Sequence, residues 1–231
     1  MLRVNADMSV LSVNDTIVDT VVFDFDGTLA RLNIDFNHMR RAITELVSGY
    51  GVAHQDLHHK YVLEMIDEAA AILQSDSPRK VETFKEEAGR IIENIEVEAA
   101  GRGELFEGTK KLLTTLKEHS IRAGIITRNC ARAVHLIFPD ILSYCSAVVC
   151  RDHVRHVKPH PEQLNLALSR LDASAGRSLM IGDHPLDIET GHNAGTLSAG
   201  VLTGRFRKED FLAAGADMVF REATDIIHLL R

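Results

Sequence analysis

The chain has 231 residues, of which 45% are hydrophobic and 26% charged, with 26 Lys and Arg against 33 Asp and Glu for a formal net charge of −7. That length holds one full domain plus a smaller one, or a single large α/β domain, and buries enough surface to fold without disulfides. The composition excludes wholesale disorder and collagen-like or low-complexity structure, and the acidic balance argues against a nucleic-acid-binding protein.

Taken in chain order, residues 1–17 read as an N-terminal tail. Asp7 interrupts it where a signal peptide would need an unbroken apolar stretch. The run from Asp19 to Phe23 is β-branched and apolar and passes straight into Asp24-Phe-Asp-Gly-Thr28, as a buried strand ending in a turn would. Residues from about 36 to 98 then carry only helical periodicity. Three stripes recur there: Met39, Ala42, Ile43, Leu46, Val47 and Tyr50; Val62, Met65, Ile66, Ala69 and Leu73; and Val81, Phe84, Ala88, Ile91, Ile92 and Ile95. Ser75-Asp-Ser-Pro78 separates the second helix from the third.

Beyond Gly101 the chain alternates helix and buried strand. The expected strands are Ile121–Thr127, Ala147–Cys150, Ser178–Ile181, Leu197–Leu202 and Asp217–Phe220. Alternation of this kind means parallel strands with helices on both faces. The expected fold is α/β: a doubly wound, Rossmann-like parallel-sheet core from residues 18–33 and 101–231, interrupted by an all-helical domain at 34–100. No apolar run approaches the ~18 residues of a membrane span. Cys130, Cys145 and Cys150 form no C-x-x-C pair, so neither a zinc knot nor a disulfide framework is expected and a reducing compartment is the simpler reading, with Cys130 expected to be a buried structural thiol. A cytoplasmic protein with no membrane or nucleic-acid partner, monomeric or homodimeric, is the resulting expectation.

Ligands of open α/β sheets bind outside the carboxyl ends of the strands. Polar residues at those ends are therefore the candidate site: Asp24 and Asp26, Thr127-Arg128-Asn129, Lys158 in Lys-Pro-His-Pro161, and Asp183 and Asp187 in Gly182-Asp-His-Pro-Leu-Asp187. Carboxylates gathered at one rim repel one another unless a cation intervenes. An all-oxygen donor set with few protein ligands suits Mg²⁺, with Lys158 as the fixed charge and Thr127 as a hydroxyl donor. His153, His156 and His160 are spaced for a zinc face, but a solvated surface is the ordinary reading. Neither G-x-x-x-x-G-K-[ST] nor H-E-x-x-H is present, which leaves nucleotide hydrolysis by a P-loop and zinc proteolysis without support.

The segments DFDGTLA (24–30), TRN (127–129), KPHP (158–161) and GDHPLD (182–187) resemble, in order, the four motifs of the haloacid dehalogenase-like hydrolase superfamily. The helical insertion resembles the cap of its phosphoglycolate phosphatase-like and β-phosphoglucomutase-like branch. The resemblance implies that Asp24 is the nucleophile forming an aspartyl-phosphate, and that Asp26 is the general acid and then the base. It implies that Thr127 binds a phosphoryl oxygen and that Lys158 holds Asp24 and the phosphate together. Mg²⁺ would be held by Asp24, the Asp26 carbonyl and Asp183, with Asp187 acting through water or orienting Lys158. Gly27, Thr28, Arg128 and Asn129 are the further candidate substrate-binding residues, with Gly27 letting the chain turn away so both carboxylates face the pocket and Asn129 acting from behind the direct contacts. Where relatives commonly have an acidic residue and a serine, this chain has Arg31-Leu32, so Arg31 is a candidate to contact an anionic leaving group.

Asp26 favours a phosphatase over a dehalogenase, because an alkoxide leaving group needs an acid and a halide does not. The expected activity is Mg²⁺-dependent hydrolysis of a small phosphorylated metabolite, with residues 30–35 and 99–106 as hinges of the cap. A phosphomutase of the β-phosphoglucomutase kind, or a non-catalytic binder of a phosphorylated ligand, are the alternatives.

Overall fold

Leu11–Val13 (β1) and Thr16–Val18 (β2) pair antiparallel around Asn14 and Asp15, which both take the positive φ a tight two-residue hairpin turn requires. The computed structural model describes residues 11–59, 61–74 and 78–230. Residues 1–10 of the expected tail thus lie outside the described residues, and the remainder of that expectation is corrected. Leu11, Val13 and Val18 are buried, and Leu11 bridges to Leu230. Three-residue strands carry almost no periodic signal, and such a hairpin is stable only when one face packs against a larger body.

Thr20–Phe23 (β3) follows, every residue buried. The chain then turns tightly, with the Phe25 carbonyl accepting from the N–H groups of Thr28, Leu29 and Ala30. Ala30–Arg31 (β4) comes next, and three helices fill the interval that showed only helical periodicity: Phe36–Gly49 (α1), Val62–Leu73 (α2) and Pro78–Ala100 (α3). Asp35 caps the first by accepting from the His38 N–H at 2.8 Å. The stripes face inward as the spacing predicts, with Met39, Ile43, Met65, Ala69, Phe84, Ala88 and Ile92 buried. Ser75, Asp76 and Ser77, expected to break α2 from α3, lie outside the described residues; Pro78 opens α3.

Glu104–Leu105 (β5) pairs antiparallel with β4, Ala30 opposite Leu105 and Arg31 opposite Glu104. The expected hinge segments are therefore shorter than the sequence suggests. Residues 30–31 and 104–105 are paired, residues 99 and 100 belong to α3, and only 32–35 and 101–103 lie outside regular elements. Two-residue strands joining segments some 70 positions apart have no local signature. Thr109–Glu118 (α4), Arg122–Ile126 (β6), Ala131–Ile137 (α5), Ala147–Val149 (β7), Glu162–Arg170 (α6), Ser178–Gly182 (β8), Pro185–Ala194 (α7), Leu197–Val201 (β9), Lys208–Ala213 (α8) and Met218–Phe220 (β10) then alternate as expected. A 3₁₀ segment at Ala223–Leu229 closes the described chain.

The six long-range strands form one parallel sheet in the order β10-β9-β8-β3-β6-β7. The chain winds outward through β6 and β7 on one side of β3 and through β8, β9 and β10 on the other. The order reverses between β3 and β8, which is where a doubly wound sheet opens a crevice at its carboxyl edge. The chain resolves into two compact units, residues 1–32 with 103–231 carrying this sheet, and residues 33–102 carrying the three helices. Among the described residues, no helix is long and apolar enough to cross a membrane.

Candidate active site

The carboxyl ends of β3 and β8 are neighbours in the sheet, and they deliver Asp24 and Asp183 to the crevice. Helix α7 begins at Pro185 with His184 as its cap, and this start positions Asp187: its Oδ2 accepts from the His184 N–H at 3.0 Å. Lys158 arrives from the segment after β7. Its Nζ donates to Asp24 Oδ1 and to Asp187 Oδ1, each at 2.6 Å, and its side chain is only 4% exposed. Carboxylate oxygens of Asp24, Asp183 and Asp187 all lie within 4.8 Å of one another. All of these groups belong to the sheet-bearing unit.

Three carboxylates, Asp24 and Asp187 buried and Asp183 half-buried, gather around the Lys158 ammonium and leave the pocket short of positive charge. Burial, with the neighbouring charges of Asp24 and Asp187, pushes the Asp183 carboxyl up to about 9. Burial also pushes Asp24 up, to about 7, with Lys158 opposing and Asp187 adding to the rise. Lys158 itself is desolvated, but the two carboxylates outweigh that and raise its affinity for its proton. An all-oxygen set that holds on to a proton near neutrality fits a divalent cation, which supplies the missing charge.

A pH dependence of stability follows. Asp183 rises from 3.8 to about 9 on folding, so its contribution is fully present below about pH 4 and is lost as pH climbs toward 9. Protein treated with a chelator is expected to show a melting temperature that falls between pH 5 and pH 9 for this reason. Mg²⁺ at ~100 times its Kd at pH 8 should return about 2.7 kcal/mol there, and the same concentration less at pH 5, where the proton competes with the cation. Thermal melts with and without the ion check this, and a gain that is equal or larger at pH 5 contradicts the charge count.

Glycines make room for Asp183. Gly27 has φ +82°, and a Cβ there would sit 2.3 Å from Asp183 Oδ2; at Gly204 it would sit 2.1 Å from the same oxygen. The obstacle at Gly204 is the tip of a side chain, so Gly204→Ala should fold but turn Asp183 aside. A loss of metal affinity on the order of 10- to 100-fold is expected, read by calorimetric titration, with little change in melting temperature without metal.

The other sequence-derived candidates take distinct places. Asp26 Oδ1 accepts from the Leu32 N–H at 2.9 Å, which anchors this carboxyl beside the turn. Thr127 is buried at the end of β6, its Oγ1 accepting from the Asn129 N–H at 3.2 Å. Asn129 is buried, and Arg128 donates from Nη1 to the Lys158 carbonyl at 2.8 Å. Thr28 and Arg31 line a cavity of about 400 Å³ with Glu104, Phe106, Glu107 and Thr224. Arg31 there pairs with Glu104 at 3.6 Å and lies over the Phe106 ring at 5.2 Å, because the β4–β5 pairing sets these side chains together. The Thr28 hydroxyl is buried and finds no partner among the described residues.

The histidine trio separates. His153 Nδ1 accepts from the Cys150 N–H, while His156 and His160 meet Glu162, whose carboxylate takes the N–H groups of Arg155 and His156. That carboxylate thereby closes the loop preceding α6. The three cysteines are buried and form no disulfide among the described residues; Cys130 Sγ accepts from the Ala133 N–H as the cap of α5, and burial pushes the Cys145 thiol up to about 12.

Two residues went unnoticed in the sequence. His184 is one: its Nδ1 accepts from the Leu186 N–H, its ring meets Phe206 edge-on at 4.4 Å, and burial holds the imidazole down to about 4, so it is neutral at physiological pH. Gln163 is the other, and is taken up below. A polar residue directly before Pro at a helix start marks the first; a glutamine on the apolar stripe of Leu164, Ala167 and Leu168 marks the second.

Fold and crevice define a doubly wound α/β protein with an acidic, lysine-bridged ligand site at the switch in strand order. The profile of the haloacid dehalogenase-like hydrolases matches residues 21–201. The chain is 31% identical over 221 residues to the N-acetylmuramic acid 6-phosphate phosphatase of Pseudomonas aeruginosa, covering 91% of this chain and 93% of that one. It is 31% identical over 223 residues to the pyrophosphatase PpaX of Bacillus cereus, covering 92% and 96%. Among solved structures, a haloacid dehalogenase-like hydrolase of Bacteroides fragilis superposes with a TM-score of 0.67 at 26% identity, over 90% of this chain and 99% of that one. The chain belongs to the haloacid dehalogenase-like hydrolase family.

Proposed function

We propose that this protein is a Mg²⁺-dependent phosphatase that hydrolyses a small phosphomonoester through an aspartyl-phosphate on Asp24. The observation that carries the reading is the buried Lys158 ammonium held at 2.6 Å from both Asp24 and Asp187, with Asp183 within 4.8 Å of both carboxylates. The names of the two relatives, both phosphatases, support the same class of reaction.

Asp24, Asp183 and the Asp26 carbonyl are assigned to hold Mg²⁺, with Asp187 fixing Lys158 through Oδ1. The ion would neutralise charge on the phosphoryl oxygens and on the carboxylates around them. Attack on phosphorus is assigned to the Asp24 carboxylate, whose Oδ1 accepts from Lys158. The bond from that carboxylate to phosphorus forms as the ester P–O bond breaks, and the Asp26 carboxyl gives its proton to the departing alkoxide. Water then attacks the phosphorus of the aspartyl-phosphate, its proton returns to Asp26, and Asp24 is released with inorganic phosphate. The Thr127 hydroxyl, whose oxygen already accepts from Asn129, keeps its O–H to donate to a phosphoryl oxygen. In this reading the helical unit serves as the cap.

The test is release of inorganic phosphate from a panel of sugar phosphates, phosphoglycolate, nucleotides and pyrophosphate with Mg²⁺, against the same panel with chelator. Hydrolysis that requires the ion is the expected result. Conversion of a hexose 1-phosphate to its 6-isomer without phosphate release would give the mutase reading instead. No turnover on any member overturns the assignment.

A further inference from the structure

Thr127 and Lys158 are the two protein groups assigned to the phosphoryl oxygens, yet they come from different places: one ends β6, the other sits in the segment after β7. A single side chain ties their backbones together. Gln163, in the first turn of α6, is fully buried. Its Oε1 accepts from the Lys158 N–H at 3.2 Å, and its Nε2 donates to the Thr127 carbonyl at 2.7 Å and to the Val149 carbonyl at 3.2 Å. Both amide protons and one acceptor site are thereby used, all on backbone groups at the rim of the crevice. Without it, a buried N–H at Lys158 and the terminal carbonyl of β6 would lack these partners, at the cost that attaches to unpaired buried polar groups.

From this geometry we infer that Gln163 is a positioning residue, which sets the separation between the Lys158 ammonium and the Thr127 hydroxyl. The inference rests on the roles proposed above for those two groups. The surroundings support placement over mere packing. An apolar side chain would fill the stripe beside Leu164, Ala167 and Leu168 equally well, so what an amide adds is its hydrogen bonds. The remaining backbone contacts of the segment work in the same sense. Arg128 holds the Lys158 carbonyl and Asn193 holds that of Pro159, so Gln163 supplies the tie on the N–H side.

Gln163→Met keeps the volume and removes all three bonds. A displacement of about 1 Å at a reacting group is worth on the order of 100-fold in rate, so kcat for the best phosphomonoester should fall about 10- to 100-fold while KM stays within about threefold. Amide hydrogen exchange supplies a readout without turnover. The Lys158 N–H should exchange on the order of 10-fold faster, while the amides of Ile125 and Val148 within the sheet keep their protection. An unchanged kcat in the folded variant overturns the inference, as does an equal loss of protection at all three amides, which would mark general destabilisation. If Gln163→Met does not fold, Gln163→Glu, which keeps an acceptor for Lys158 but lacks the two donated bonds, carries the same measurements. If the wild-type protein hydrolyses nothing, the phosphatase reading fails by itself. The exchange comparison then decides the placement alone: acceleration confined to Lys158 sustains it, and no acceleration removes it.

Discussion

Asp24→Asn should lower phosphate release by on the order of 10⁴-fold or more, the scale on which loss of a covalent nucleophile is felt, while leaving the protein folded. Asparagine keeps the shape of the side chain, and Asp187 Oδ1 still holds the Lys158 ammonium. The substitution also removes one of three mutually repelling carboxylates, so the variant without metal should melt no lower than the wild type at pH 8. Phosphate release and a thermal melt on one preparation make the check. Retained activity would take the nucleophile away from Asp24, and a collapsed melt would show that the carboxylate serves the fold.

Lys158→Met should fail in the opposite manner, losing both stability and activity. Its ammonium contacts both Asp24 and Asp187, and both carboxylates are buried. Removing one partner of such a buried set leaves uncompensated charge, which costs about 3–5 kcal/mol. The cost should be greatest at pH 8 and shrink at pH 5, where Asp24, pushed up to about 7, takes up its proton. Urea unfolding at the two pH values measures it directly. Activity should fall on the order of 10³-fold, because a charge directed at the phosphoryl oxygens is lost as well. A variant as stable as the wild type at pH 8 would mean that the pocket carboxylates are neutral without any cation, and the metal assignment would lose its physical basis.

Much of the architecture could be read along the chain. Short apolar runs such as Val21–Phe23 and Leu179–Ile181, separated by helical stripes, declare parallel strands, and all of those strands occur in the sheet. Asp24, Thr127, Lys158 and Asp183 could be picked out because each follows such a run or lies just beyond one. The same method overlooked the Leu11–Val18 hairpin and the pairing of Ala30–Arg31 with Glu104–Leu105. Strands of two or three residues show no period, and their stability comes from partners distant in the chain. Arg31 illustrates the limit well. Its position after the first motif suggested a ligand contact, and no local pattern showed the strand pairing that sets it beside Glu104 and Phe106.

Order and type of elements, the acidic residues at the strand ends and the interrupting helical stretch are properties of windows of about ten residues, and composition and spacing alone determine them. Which carboxylate shares the lysine, how much room Asp183 has between Gly27 and Gly204, and that Gln163 joins the ends of two strands to Lys158 were decided only in three dimensions. Lys158 and Asp24 stand 134 positions apart. Their contact exists because the sheet reverses its order beside β3, and a winding order is set by the packing of whole elements, about which no local stretch of sequence carries information.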